Sequence, residues 1–324
     1  MKVTAVLPTK NRAPLLVDTV RALLAQTVIP HEIIVVDQSA SEEGRHMVHA
    51  LVDAVPVGRR PALVYVWDTT INGAAAARNA GLDLARGDIV VFIDDDVVPA
   101  VDVVERLLHH YAACPAWSGL APVITNYPLP GLAQRLYHVV FCRGPFRDER
   151  QPVYWHWRDL RGAVVPVRMF TGAMMSFRRA ALGDLRYDAR YRAASVGEDI
   201  DLCWALGARG GRLAIVTDAH IVHNKAPRPA ARTEAAQIMS WAFVYDKHVR
   251  KTLGTRLAFG WYVLGNVLAA FVAAVRERTW SPVPSAFAGV RGIFSDYAGS
   301  TFLSPSRSEL DVRSRLQTPV TSGR

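Results

Sequence analysis

Short apolar runs alternate with longer segments of helical spacing along the first hundred residues. The runs predict strands, and apolar residues at intervals of three and four between them predict helices. Because the runs show no polar alternation, we expect strands buried on both faces of a sheet. The strand–helix order predicts an α/β fold with a mostly parallel central sheet. The predicted strands are residues 3–7, 32–36, 62–67 and 88–93, and the helices are 15–25, 42–54, 74–85 and 101–113.

The pattern is less regular in the middle of the chain. Residues 118–167 are rich in proline and aromatic side chains, and we interpret them as loops around a site, not as a separate domain. Regular patterning then returns. Further strands are predicted at 169–177, 213–216 and 219–222, and further helices at 198–208 and 235–249.

Residues 257–275 contain no charged side chain, and basic residues flank both ends. A spanning helix needs about 20 apolar residues, and glycine and asparagine interrupt this segment. An interfacial helix held by basic side chains fits better than a span, and a buried soluble helix is the remaining alternative. We therefore divide the chain into an α/β domain at 1–232, a helical, membrane-associating region at 233–303 and a disordered Ser/Arg-rich tail at 304–324.

Composition narrows the class of protein. The net charge of +9 favours polyanionic partners such as phosphorylated ligands or an acidic membrane face, although an arginine-rich genome would give the same charge. The three cysteines lack CxxC spacing, which argues against a disulfide framework and a zinc site. The N-terminal segment lacks the apolar core of a signal peptide. We therefore expect a cytoplasmic protein.

Three acidic residues, Asp94, Asp95 and Asp96, directly follow the fourth predicted strand. Ligands of parallel sheets bind at the carboxyl ends of the strands. Adjacent carboxylates repel one another, and a divalent cation would remove that repulsion. Oxygen ligands suit Mg²⁺ or Mn²⁺, which often also hold substrate phosphates. The alternative is an acidic loop exposed to water.

A second acidic group opens the predicted helix at 198–208. Acidic residues at a helix N-terminus interact favourably with the helix dipole, but one of them could also serve as a general base. Arg78 could pair with a phosphate of a ligand or be a solvated helix charge. His223 could be a metal ligand or a structural histidine.

Six motifs together make the chain resemble glycosyltransferase family 2, whose members have the GT-A fold, a Rossmann-like α/β architecture. Any one motif is weak, but six in the family's order are highly specific. They cover about residues 1–225. The motifs are PTKNR at 8–12, VVDQS at 35–39, ARNAGLDLARGD at 77–88, FIDDDV at 92–97, TGAMMSFRR at 171–179 and GEDIDLCWAL at 197–206.

The resemblance implies roles for individual positions. Some would bind the nucleotide sugar, with Asp37 facing the base, and others would hold Mn²⁺ or Mg²⁺. The catalytic base would be Asp199. The implied positions are Pro8, Thr9, Arg12, Asp37, Arg78, Asp94 and Asp95 for the nucleotide sugar, Asp94, Asp96 and His223 for the metal, and Gly172, Ala173, Glu198 and Trp204 for the sugar and acceptor pocket.

The resemblance further implies a metal-dependent, inverting enzyme that transfers a single sugar to a hydroxyl of a glycan or lipid-linked acceptor. The QxxRW motif of processive synthases is missing. We expect a polyprenyl-diphosphate-linked acceptor, a role in cell-wall or exopolysaccharide assembly, and a location on the cytoplasmic face of the inner membrane. No nucleic-acid partner is expected.

Two other functions remain as alternatives. A sugar nucleotidyltransferase would carry a glycine-rich loop after the first strand, which PTKNR is not. A non-catalytic scaffold of the same fold would have no need for the acidic residues of the two clusters.

Overall fold

A nine-stranded mixed sheet organises the chain. The computed structural model describes residues 1–146, 158, 160–191, 197–225 and 233–295. The strands are β1 (Val3–Thr9), β2 (Glu32–Asp37), β3 (Ala62–Trp67), β4 (Ile89–Ile93), β5 (Val97–Pro99), β6 (Trp117–Ile124), β7 (Val164–Val167), β8 (Met174–Arg178) and β9 (Arg212–His223).

Helices cover both faces of the sheet and continue after it towards the C-terminus. A π-helical segment, His138–Arg143, directly extends the fifth helix. The helices are α1 (Ala13–Leu24), α2 (Glu43–Asp53), α3 (Ala74–Leu84), α4 (Val103–Ala113), α5 (Leu132–Tyr137), α6 (Arg179–Leu182), α7 (Glu198–Ala208), α8 (Thr233–His248), α9 (Leu253–Glu277) and α10 (Pro282–Ser295).

The strand order is β3-β2-β1-β4-β8-β6-β9-β5, and β7 also pairs with β9. The first four strands in this order are mutually parallel. β8 is antiparallel to β4 and to β6, and β9 is parallel to β6. β5 and β7 are antiparallel to β9. Of these strands, β1, β2, β3, β4, β6 and β9 therefore run in one direction, which confirms the mostly parallel sheet.

Burial follows position in the sheet. All residues of β1, β2 and β4 are buried, as their uninterrupted apolar character predicts. β3 is only partly buried although it is equally apolar. The difference arises because β3 lies at the edge of the sheet.

The expectation that residues 118–167 form only loops is wrong, because β6 lies inside the sheet. Gly119 and Pro122 hide this strand from a sequence pattern. Gly119 is needed for close packing, since a Cβ there would lie 2.7 Å from Leu213 and 2.8 Å from Phe177. Pro122 lies where the register with β9 shifts, at an irregularity that tolerates proline.

The strands predicted at 213–216 and 219–222 form the single strand β9. The polar residues Thr217 and Asp218, which suggest a break, lie in the register shift opposite Pro122 and Val123. The strand predicted at 169–177 is confirmed only as the shorter β8. The predicted helix at 198–208 is confirmed at both ends.

The main hydrophobic core extends into the C-terminal helices. Trp241 and Val244 of α8 and Tyr262 of α9 are buried in the same cluster as sheet residues such as Phe92 and Phe177. The predicted boundary at residue 232 stays a prediction, but the core crosses it. Helix α10 was not predicted, and the tail at 304–324 lies outside the described residues.

Candidate active site

The carboxyl ends of β1, β2 and β4 meet at one edge of the sheet. Thr9 and Asp37 are register partners at the ends of β1 and β2. β4 lies on the other side of β1 and leads directly into Asp94. The parallel arrangement thus places the motifs after three strands at the same edge, where ligands of such sheets bind.

Three side chains that could hold a metal ion, Asp94, Asp96 and His223, cluster at this edge. One ligand atom from each lies within 4.8 Å of the others. His223 Nε2 lies 3.1 Å from Asp96 Oδ1. The chain brings them together because β5, which follows the acidic motif, pairs Val97 with His223 across the antiparallel β5–β9 ladder.

The charges of this cluster favour a cation. Burial raises the pKa of Asp94 above the usual value of an aspartate, and the Asp96 carboxylate adds to this, whereas Arg78 acts in the opposite direction. Two carboxylates and an imidazole nitrogen form a donor set that a divalent metal ion can use. The residues present therefore fit Mn²⁺ or Mg²⁺, with further positions left for water or substrate oxygens.

Two residues that the sequence did not indicate hold His223 in place. The Tyr127 hydroxyl lies 2.7 Å from His223 Nδ1. The Asn126 side chain donates to the backbone oxygen of His223 and accepts from its backbone N–H. Such outer contacts fix the ring orientation of a ligating histidine. No motif surrounds Asn126 and Tyr127, so only the fold reveals them.

Asp95 bonds to residues at the end of β1 and in the loop after it. Its carboxylate accepts hydrogen bonds from Thr9 Oγ1 at 2.7 Å and from Arg12 Nη1 at 3.2 Å. Burial raises the pKa of Asp95 to about 6, although Thr9 and Arg12 act in the opposite direction. Arg12 also lies 3.6 Å from Asp96. The loop after β1 is therefore tied to the acidic motif after β4.

Arg78 joins the two acidic motifs. Its Nη2 donates to Asp94 Oδ1 at 2.7 Å, and its Nη1 donates to Glu198 Oε1 at 3.0 Å. The residue is 2% exposed, which excludes the alternative of a solvated helix charge. Arg78 lies in the first half of α3, and its two ion pairs hold its side chain against the acidic motifs.

Asp199 follows Glu198 in the first turn of α7. Burial raises the pKa of Asp199 to about 7, and the negative charge of Glu198 adds to this, whereas Arg78 acts against it. Gly172 leaves room for the carboxylate, since a Cβ there would lie 3.2 Å from Asp199 Oδ2. Ala173 accepts a hydrogen bond from the Asp94 backbone N–H. A carboxyl group with a pKa near neutrality is suited to proton transfer.

Asp37 is held by neighbours at the end of β2. It accepts hydrogen bonds from the Tyr65 hydroxyl at 2.6 Å and from the Ser39 backbone N–H at 2.8 Å. Pro8 lies beside Val36 in the β1–β2 register. The roles assigned to Pro8 and Asp37 in nucleotide binding stay predictions.

Trp204 does not join these residues. It lines a cavity of about 540 Å³ together with Arg168 and Arg212. Arg212 begins β9, so this cavity lies at the amino end of that strand, opposite the acidic cluster. The proposed contact of Trp204 with sugar or acceptor stays a prediction.

Helix α8 braces the helix that carries Asp199, a feature the sequence did not indicate. Asp201 is 1% exposed and accepts from Lys247 Nζ at 2.7 Å. His248 Nε2 lies 2.6 Å from the other Asp201 oxygen. Gly197 has a φ of 100°, and a Cβ there would clash with Ser240 Oγ of α8.

Comparison with known proteins identifies relatives of the chain. The model of the family described as Glycosyl transferase family 2 matches residues 4–186. The pre-mycofactocin glycosyltransferase of Mycobacterium tuberculosis is 30% identical over 153 residues, which are 47% of this chain and 30% of that protein. The succinoglycan biosynthesis protein ExoM of Rhizobium meliloti is 33% identical over 119 residues, 36% of this chain and 37% of that protein. The matches thus span about a third of these relatives.

A solved structure shares the fold. The mannosyltransferase PcManGT from Pyrobaculum calidifontis, in complex with GDP-Man and Mn²⁺, aligns with a TM-score of 0.58 and 20% identity. The alignment covers 97% of this chain and 80% of that one. It supports the GT-A fold for this chain.

Proposed function

The chain belongs to glycosyltransferase family 2, and on this premise we propose that it transfers a single sugar from a nucleotide-sugar donor to an acceptor hydroxyl with inversion at the anomeric carbon. One observation carries the proposal. The buried Arg78 bonds to Asp94 of the metal cluster and to Glu198, which adjoins Asp199. This link supports the proposal that the metal ligands and the base act in one active site.

Asp94, Asp96 and His223 would hold the metal ion. A bound Mn²⁺ or Mg²⁺ would stabilise the negative charge that develops on the departing nucleoside diphosphate. The structural neighbour in complex with GDP-Man and Mn²⁺ shows that a protein of this fold binds such a pair. Arg12, whose side chain is 38% exposed beside Asp95 and Asp96, is proposed to contact the diphosphate.

Asp199 is the proposed base. Its carboxylate takes the proton of the acceptor hydroxyl as the new glycosidic bond forms. Attack on the face opposite the leaving group inverts the anomeric centre in a single displacement, without a covalent intermediate. Arg78 is proposed to position Asp94 and Glu198, in addition to the donor contact that the family resemblance implies.

The proposed acceptor is a glycan or a polyprenyl-diphosphate-linked sugar at the cytoplasmic face of the inner membrane. The relative from succinoglycan biosynthesis supports a role in polysaccharide assembly. The basic character of the chain suits a phosphorylated acceptor.

The test combines nucleotide binding and sugar transfer. UDP-, dTDP- and GDP-sugars are titrated by calorimetry with Mn²⁺ or EDTA, and release of nucleoside diphosphate is then followed with lipid-linked acceptors. We expect metal-dependent binding of one donor, lost in D94N/D96N and retained in D184N, which removes an exposed aspartate outside the site.

Two results would contradict the proposal. Nucleotide binding that is the same with EDTA would exclude the metal cluster as the donor site. Formation of a nucleotide sugar from a nucleoside triphosphate and a sugar phosphate would instead indicate a sugar nucleotidyltransferase.

A further inference from the structure

Helix α9 exposes apolar side chains along the whole of one side. The exposed positions recur at intervals of three, four or seven residues and so form one continuous stripe. Each of these side chains is at least 44% exposed. The stripe consists of Leu253, Leu257, Leu264, Leu268, Val272 and Val275.

The opposite side of α9 packs against the protein over the same length. Ala258, Gly265 and Ala274 are buried there. Tyr262 is 2% exposed in the main core, with its ring 5.9 Å from that of Trp241. The helix is therefore attached to the sheet domain through α8, and α10 packs beside it, while the stripe stays exposed in the described part of the chain.

This attachment distinguishes a helix that lies on a membrane from one that crosses it. In the described part of the chain, α9 is the one helix long and apolar enough to span a bilayer. A crossing α9 would carry the charged surface of the sheet domain into the hydrocarbon, which is very costly. A helix lying in the interface needs only one apolar side.

A neighbouring segment extends the apolar surface. Phe141 of the π-helical segment packs on Gly265, where a Cβ would lie 2.6 Å from the Phe141 ring. Trp261 Nε1 donates to the Val140 backbone oxygen at 2.7 Å. The adjoining α5 and π-helical segment expose three more apolar side chains at helical spacing, Leu132, Leu136 and Val139.

The charges beside the stripe select an anionic surface. Residues 250–278 contain five basic side chains and one acidic side chain, Glu277. Two of the basic residues precede α9, one lies in its first turn and two lie at its end. A second copy of this chain would bring the same positive charges face to face. Anionic lipid headgroups would instead attract them.

We propose that α9 lies in the interface of an anionic lipid bilayer, with the stripe immersed and the basic residues at its ends against the headgroups. The inference deepens the proposed function, on which it rests for a lipid-linked acceptor. It places the active site beside the bilayer, because α9 packs on α8 and α8 braces α7.

The test measures binding of the full chain to vesicles by flotation. Vesicles of phosphatidylcholine are compared with vesicles that also contain phosphatidylglycerol. We expect binding that increases with the anionic lipid, and at least about tenfold weaker binding of L264Q/L268Q/V272Q, because each leucine or valine loses its transfer to apolar surroundings. R256Q/R276Q should reduce the preference for anionic vesicles several-fold.

A matched control replaces three exposed apolar residues of the sheet domain. V57Q/L84Q/V101Q changes side chains that are 84, 42 and 56% exposed, and should bind vesicles like the unchanged chain. The stripe variant should bind the donor in calorimetry like the unchanged chain, since α9 contributes no residue to the proposed donor site. This measurement therefore tests the proposed function separately from membrane binding.

Three outcomes would overturn the proposal. The first is unchanged vesicle binding by the stripe variant. The second is absence of vesicle binding together with a dimer that the stripe variant converts to monomer, which would identify a second copy as the partner. The third is retention of the chain in membranes after carbonate extraction, which would indicate a span.

Discussion

At the scale of single residues, the site is organised by the pairing of opposite charges. Arg78 lies between Asp94 and Glu198, and Arg12 lies between Asp95 and Asp96. Without these partners, the buried carboxylates of Asp95, Asp96 and Glu198 would be costly. Within the part of the chain that the structure describes, Asp199 forms no ion pair, and the backbone N–H of Ile200 donates to its carboxylate. Burial raises the pKa of Asp199 to about 7, which suits a proton acceptor.

Replacing Asp199 with Asn should remove turnover but not stability. The loss of a general base is expected to lower kcat by about 10²- to 10⁴-fold. Because burial raises its pKa in the folded state, this carboxyl favours folding at low pH and loses that contribution as the pH rises to about 7. The Asn variant should therefore unfold at the same or a higher temperature at pH 8. A clearly lower melting temperature would contradict this electrostatic description.

The pH dependence of sugar transfer should report the same carboxyl group. Because the base must be deprotonated, kcat/KM is expected to fall as the pH decreases below about 7. Glu198→Gln removes the neighbouring negative charge, so the acidic limb of the profile should move to lower pH. The profile of D184N is the control and should match that of the unchanged chain. An acidic limb that stays in place in E198Q would argue against Asp199 as the base.

Tyr127→Phe should weaken metal binding without changing the fold. The hydroxyl that orients His223 is lost, and outer contacts of this kind are worth about 10- to 100-fold in metal affinity. Calorimetric titration with Mn²⁺ measures the effect, and Tyr137→Phe, on α5 outside the site, serves as the control. Equal Mn²⁺ affinity in Y127F would show that His223 does not need this hydroxyl.

At the scale of elements, the helix that carries Asp199 depends on a glycine packed against α8. Gly197→Ala introduces a Cβ at a φ of 100° and against Ser240, and should destabilise the fold by about 1–3 kcal/mol. Gly207→Ala is the matched control. Gly207 lies in the same helix, and a Cβ there would meet nothing within 4 Å. It should be neutral or stabilising by up to about 1 kcal/mol.

Urea denaturation measures both glycine variants. A G197A chain as stable as G207A would mean that α8 does not constrain the start of α7. Partial recovery in G197A/S240A would separate the clash with the Ser240 hydroxyl from the strain of the backbone.

The elements that the sequence predicted best are those with uninterrupted patterns. No glycine or helical spacing interrupts β1, β2 and β4. The prediction that the acidic motif lies at the carboxyl ends of these strands is confirmed. β6 was not predicted, because its glycine and proline break the apolar pattern of a strand. Gly119 allows close packing and Pro122 lies at a register shift, and in both cases the partner residues are distant in the chain. The Tyr127–His223 contact was not predicted for a similar reason, since it depends on how the segment after β6 packs against the end of β9.

At the scale of the whole molecule, the C-terminal helices complete the catalytic unit. Trp241, Val244 and Tyr262 fill the main core, and Lys247 and His248 compensate the buried Asp201. Removing a large core side chain costs about 3–5 kcal/mol, and a domain has only about 5–15 kcal/mol of stability. Loss of several such residues would therefore exceed the stability of the sheet domain.

Ending the chain at residue 232 should consequently abolish folding, although the family match ends at residue 186. A chain ending at residue 295 keeps every packing contact described above and should fold and bind nucleotide with Mn²⁺ like the full chain. Circular dichroism and donor calorimetry on the two truncations measure the difference. Metal-dependent donor binding by the 1–232 chain at full affinity would show instead that the helices serve only to attach the enzyme to its membrane. The Asp201 charge would then have to be accommodated without Lys247 and His248, which the 1% exposure of Asp201 argues against.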